Sequence, residues 1–504
     1  MHPEFLNALQ QAEQHAEQQQ WEEAASLTAA AIMLSKAEDW FRDSIETWRE
    51  TSHALLKRWR EFSIQAGDLE QAQQALSEQI DFCEHHPEPT HFIAELLCEK
   101  ARLYTYADES KLAFEVLEDA IAWCDTHQLP QQRALAIMYM GESAKFEDDT
   151  TRAKELYEEA LETFQSFDNK EGIADCHQHL GEIASFEGYT EEARTHLETA
   201  LSLYEALDDA PGQANSLLEL GEIAKCSGDL EQATTHFEAA QTFYHTLQDA
   251  QGEANCRLSL GEIARLRGNP SHAAQEFEDA LTLYRSLGDT LGEANCLQSL
   301  GEVKQATGHP AEALALFTEA MGMYKEMSDS LGVANCLLEL GRVSKDEGEL
   351  QQSNVHLSRA LHHYETLSYP LGMANTLHAL GELALLQKED AHTLFQQALE
   401  LHRALPNPLG EATCLRSLGD LAVQQGHLEE AAALLTQANT LYEEHNTPLG
   451  LAHCLFSRGL LEAAAAHPEK ARALFDQAHT LYTELTYPLG QQACEKQSAL
   501  LSES

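Results

Sequence analysis

Five asparagines, Asn215, Asn255, Asn295, Asn335 and Asn375, recur at intervals of 40 residues, with Asp175 one interval before them. Thr413 continues the row after a shorter step. A carboxamide is donor and acceptor at once, so such a row can hydrogen-bond a peptide backbone without demanding a particular side-chain sequence. Seven residues after these positions runs a second row, Glu182, Glu222, Glu262, Glu302, Arg342, Glu382 and Asp420, which Glu142 begins. Its net acidity suits a basic ligand. Both rows admit plainer accounts. Each Asn can bond a neighbouring helix, and Lys145, Lys225 and Arg265 follow Glu142, Glu222 and Glu262 by three residues, the spacing of an intrahelical ion pair.

The N-terminal end has a different chemistry. Four of the five tryptophans, Trp21, Trp40, Trp48 and Trp59, are interleaved there with Arg42, Arg49, Lys57, Arg58 and Arg60. Tryptophan and arginine are frequent interface anchors, so Trp40, Trp48, Arg49 and Trp59 form a candidate docking patch, the other account being packing of an irregular cap. His85, His86 and His91 in EHHPEPTH lack a companion set of Cys or carboxylates at metal-ligand spacing and read as a linker. No phosphate-loop, dinucleotide, nucleophile-elbow or zinc-protease motif occurs. Catalytic, cofactor and metal residues are therefore assigned nowhere, no cofactor is expected, and the chain reads as a non-enzyme.

The elements that must position these rows follow from the glycines. Gly141, Gly181, Gly221, Gly261, Gly301, Gly341, Gly381, Gly419 and Gly459 step by 40 residues, with one step of 38. A period of this size marks a tandem array. Around Gly301, Cys296, Leu297, Leu300 and Val303 form one stripe of a 3.6-residue helix, helix A, while Ala313, Leu314, Phe317, Ala320, Met321 and Tyr324 form that of helix B. Gly308, His309 and Pro310 punctuate the junction. A second series, from Gly172 to Gly490, follows Asp or Pro in phrases such as GDTLG and YPLG and marks each new helix A. Glycine inside a helix costs about 1 kcal/mol relative to Ala, so Gly301 implies close helix approach. Asn295, Gln298, Glu302 and Gln305 lie on the face opposite the core stripe. The step of 38 is expected to shorten the turn in LLQKEDAH and leave both helices intact.

Leu300-Gly301, Ala313, Phe317 and Ala320 resemble the tetratricopeptide signature, a Leu-Gly pair in helix A followed by Ala, Phe and Ala in helix B. The long unit with LGEANCLxSLG is similar to the subclass found in GoLoco-type spindle adaptors and in the sensor domain of maltose-operon activators. The resemblance implies an all-α, right-handed solenoid of about twelve hairpins. It also implies a concave groove lined by helix A that holds peptides. Its expected lining is Asn215, Asn255, Asn295, Asn335, Asn375, Glu182, Glu222, Glu262, Glu302 and Gln298. Divergent units with the Trp and Arg segment are expected over 1–100, the regular array over 101–489 and a capping helix over 490–504.

The chain has 504 residues and a formal net charge of -51, which opposes nucleic acid and anionic lipid. No apolar run reaches membrane-spanning length, and the first residues lack a secretory pattern, so a cytoplasmic location is expected. Of eleven cysteines, Cys176, Cys256, Cys296, Cys336, Cys414, Cys454 and Cys494 share one place, five residues before the repeat glycine or its equivalent, as small core residues would. The expected function is that of a scaffold or adaptor binding a segment of another protein, basic or neutral. The alternative is a regulatory module that binds a small molecule or signal peptide and acts on a separate output protein.

Overall fold

The structure is a computed structural model. It describes residues 3–17, 20, 24–29, 57, 68–84 and, apart from 406, 446 and 486, all of 90–503. Two compact units divide the chain, Met1–Glu219 and Leu220–Ser504. Among the described residues every regular element is helical. In each unit consecutive helices pack as hairpins, helix A on helix B and helix B on the next helix A.

The hairpin containing Gly301 shows why the sequence folds this way. Helix A runs Thr290–Ala306 and helix B Pro310–Glu326. Asp289 caps the first, its carboxylate accepting from the Gly292 amide at 2.9 Å, and Pro310 opens the second, where a missing N–H costs nothing. Between them Gly308 takes φ +81°, which closes the turn without a Cβ clash. Ala320 and Tyr324 of helix B are buried in one cluster with Cys296, Leu297, Leu300 and Val303 of helix A, and Ala313 and Phe317 are buried with Leu340 and Val343 of the next helix A. A Cβ on Gly301 would stand 2.6 Å from the Phe317 ring, so the glycine is the contact point of the hairpin, as expected.

The second glycine series does more than start helices. A Cβ on Gly292 would lie 2.2 Å from the ring of Tyr284, the last buried residue of the preceding helix B, Pro270–Leu287. Gly252, Gly332, Gly372 and Gly450 stand in the same way against Tyr244, Tyr324, Tyr364 and Tyr442. One glycine thus joins the two helices of a hairpin and the other seats successive hairpins.

The short step departs from expectation. Helix A there extends over Pro370–Gln387, and helix B, His392–Ala404, keeps 13 residues instead of the 17 of Pro310–Glu326. The turn is not shortened; helix B loses its first turn. Leu385, Leu386 and Gln387 favour continued helix, and Asp390 then caps the later start by accepting from the His392 amide at 3.0 Å. In the second unit the array also returns on itself, bringing Leu485 against Gly268. Pro488–Glu503 packs on Pro468–Glu484 at the C-terminal end.

Candidate functional site

Helix A presents the asparagine row within its second turn. The carboxamides of Asn255, Asn295 and Asn335 are each tied to the buried tyrosine at the far end of the same hairpin. Oδ1 of Asn255, Asn295 and Asn335 accepts from the hydroxyls of Tyr284, Tyr324 and Tyr364 at 2.7, 2.5 and 2.6 Å. Related positions use the same bond. Asp175 accepts from Tyr204 at 2.7 Å, Thr413 Oγ1 lies 3.0 Å from Tyr442 Oη, and His453 Nδ1 lies 2.6 Å from Tyr482 Oη. Asn375 has no such tyrosine, because His402 fills that place in the shortened unit and its Nδ1 has no hydrogen-bond partner. The row is also less open than its polarity suggests: Asn255, Asn295, Asn335 and Asn375 are half-buried, and only Asn215 is exposed. The tyrosines were the residues that sequence reasoning missed as hydrogen-bond donors. Their signal was a constant separation of 29 residues from the polar row.

The acidic row is organised between hairpins rather than mainly along each helix. Lys145 donates to Glu182 of the next hairpin at 2.6 Å, Lys225 to Glu262 at 2.7 Å, and Arg265 approaches Glu302 at 3.5 Å. Of the three intrahelical pairs expected, Lys225 with Glu222 forms, while Lys145 and Arg265 reach forward. The reason is geometric: stacked helices A bring this position beside the next glutamate. Lys345 repeats the forward bond to Glu382. Burial alone would raise the Glu182 carboxyl, yet His179 and Lys145 hold it well below the usual carboxylate range. At Glu302 burial prevails over Arg265 and the carboxyl is pushed up.

Arg342 interrupts the glutamates and pairs with Glu339 at 2.7 Å. Further along, Arg416 and Ser457 both donate to Asp420 Oδ2, at 3.1 and 3.0 Å, and His378 Nε2 lies 2.9 Å from Ser417 Oγ. The inner positions of helix A therefore change from acidic to mixed charge within the second unit.

A cavity of about 330 Å³ opens on this face, lined among others by Glu262, Asn295, Gln298, Tyr324 and Asn335. Two asparagines, one glutamate and Gln298 of the expected groove thus meet around one space. The Gln298 carbonyl also faces the Cys336 thiol at 3.9 Å. Asn215 and Glu182 do not line this cavity. Trp40, Trp48, Arg49 and Trp59 lie outside the described residues, as do His85 and His86. Among the described residues no group of three or more His, Cys, Asp or Glu side chains is placed to hold a metal ion, and no helix is long and apolar enough to cross a membrane.

The family model of the tetratricopeptide repeat matches residues 133–206, 178–246, 212–286, 254–326 and 372–444, more than half of the chain. Among solved structures the chain is similar to a Rap protein complexed with competence and sporulation factor, at 13% identity over 71% of this chain and 99% of that one, with a TM-score of 0.56. The apo form of RapI is similar at 10% identity over 70% and 98%, with a TM-score of 0.55. A signal-transduction ATPase with a tetratricopeptide repeat sensor from Pyrococcus horikoshii is similar at 12% over 72% and 55%, with a TM-score of 0.52. At these identities the likeness is one of fold. No curated protein matches the sequence.

Proposed function

Because the chain belongs to the tetratricopeptide repeat family, we propose that it is a protein-interaction scaffold whose helix A face holds a peptide segment of a partner. The observation that carries this reading is the set of tyrosine bonds to Asn255, Asn295 and Asn335. A hydroxyl donating to Oδ1 fixes each carboxamide and leaves its two N–H donors for another acceptor. Backbone carbonyls of a peptide are such acceptors, and the cavity between Asn295 and Asn335 gives them room. The mechanism is presentation, with no bond made or broken. A basic or neutral partner suits the net charge of -51.

Asp175 supplies the test, since it shows that a carboxylate at this place still accepts from its tyrosine. Changing Asn255, Asn295 and Asn335 together to Asp keeps the acceptor and removes the donors, and binding is measured at high salt, where the three added charges are screened. Against a partner recovered by affinity capture and mass spectrometry, the triple variant is expected to bind more weakly, by about 0.5–1.5 kcal/mol for each bond lost, with an unchanged melting curve. Undiminished binding moves the site to another face. A small molecule at stoichiometric occupancy, with no protein captured, overturns the scaffold reading.

A further inference from the structure

Tyr106, Phe146 and Phe186 stand at one place in three successive hairpins, five residues after Ala101, Gly141 and Gly181. They are 50%, 54% and 79% exposed. Phe146 and Phe186 follow Glu142 and Glu182 by four residues, one helical turn, so they extend the acidic face toward the end of helix A. The first two members touch. The Tyr106 and Phe146 rings meet edge to face with centroids 6.0 Å apart, and the Tyr106 hydroxyl donates to Glu142 at 3.2 Å. Nothing in the repeat requires a ring here, for Cys226, Ala306 and Asp346 fill the same place in later units. Exposed aromatics at one place in three successive hairpins carry a solubility cost.

Carboxylates border the row. The turns that follow these helices carry Asp108, Glu109, Glu147, Asp148 and Glu187, all exposed. Among the described residues no cation pairs with Glu147 or Asp148. Beside Phe186 a cavity of about 390 Å³ opens, lined by Ile183, Asp148, Thr150 and Glu182 and by Lys145, whose ammonium is already paired with Glu182.

We propose that the row Tyr106, Phe146 and Phe186 in the first unit is a docking surface for a segment of another protein that carries large apolar side chains next to Lys or Arg. Charge complementarity selects this occupant. Arg102 already lies over the Tyr106 ring at 5.8 Å, an internal precedent for the pairing. Apolar groups fit the rings, cations fit the bordering carboxylates and the faces of Phe146 and Phe186, and a chain of net charge -51 repels phosphate backbones, anionic lipid and a second copy of itself. This surface deepens the scaffold reading by naming a partner chemistry, and it uses none of the asparagines.

Two synthetic peptides of equal length and equal lysine content test it against the full chain by fluorescence anisotropy, one with Leu and Trp between the lysines and one with Ser. The apolar peptide is expected to bind about tenfold more tightly than the serine peptide. Phe146→Ser with Phe186→Ser should abolish that preference, and Glu147→Gln with Asp148→Asn should weaken both peptides and flatten the salt dependence. The triple Asn→Asp variant should retain the preference, which separates this surface from the asparagine groove. A benzophenone amino acid at position 186 should crosslink to the apolar peptide, a reading that holds even if the serine variant melts early. Equal affinity for the two peptides, a preference that survives the double serine change, or the absence of crosslinking overturns the proposal.

Discussion

The hydroxyl of Tyr284 donates to Oδ1 of Asn255 at 2.7 Å, tying the end of helix B to the start of helix A within one hairpin. The same ring fills the space that Gly292 leaves in the following helix A. A single tyrosine therefore closes its own repeat and seats the next. Tyr284→Phe keeps the ring and removes only the hydrogen bond, so a loss of about 0.5–1.5 kcal/mol in denaturant unfolding is expected, with the slope unchanged.

The helical glycines should divide by what stands over them. Gly292→Ala would press a methyl into the Tyr284 ring and Gly301→Leu would overpack Phe317, each destabilising by about 1–3 kcal/mol. Gly322, inside helix B, has no heavy atom within 4 Å of an added Cβ, so Gly322→Ala should stabilise by about 0.5–1 kcal/mol through helix propensity. Melting curves of the three variants check the order, and a stabilised Gly292→Ala would contradict the packing described.

Thiol labelling should separate the cysteines by burial. Cys256, Cys296 and Cys336 are fully buried, and burial pushes each thiol up to about 12. Little thiolate forms at neutral pH, and reagent cannot reach it. Cys226 is exposed and should label first among the described cysteines. Mass spectrometry of the native protein after brief alkylation measures the order; rapid modification of the three buried thiols would mean that the hairpins open readily.

Acid should weaken the second unit through two buried histidines. Burial lowers His378 from 6.5 to about 4, and burial beside Arg416 lowers His453 to about 3. A histidine whose folded value is depressed binds more protons when unfolded, so its contribution is complete above 6.5 and is lost as pH falls toward the folded value. These two histidines should therefore subtract stability between about pH 7 and 4, against the relief that acid brings to the buried Glu302 carboxyl and to a net charge of -51. His378→Gln should make the melting temperature drop less, or rise more, than in the parent protein over that range, and an unaltered slope would show that His378 takes up its proton as readily folded as unfolded.

Much of this molecule could be read in one dimension. The glycine period, the paired apolar stripes around Gly301 and Phe317, and the caps at Asp289 and Pro310 specified helical hairpins and their order, because helix periodicity and capping depend on residues within a turn or two. The asparagine and glutamate rows could be found the same way, since a repeat copies its polar positions along with its core. Their partners could not. Tyr324 reaches Asn295 across 29 residues and Lys145 reaches Glu182 across 37, distances bridged only when helix B folds back and the next helix A stacks. Burial of Asn255, the acceptor it gives to Tyr284 and the continuity of Tyr106 with Phe146 are likewise products of stacking. Local sequence chose the helices; the contact geometry between them decided which polar groups are already paired and which are left for a partner.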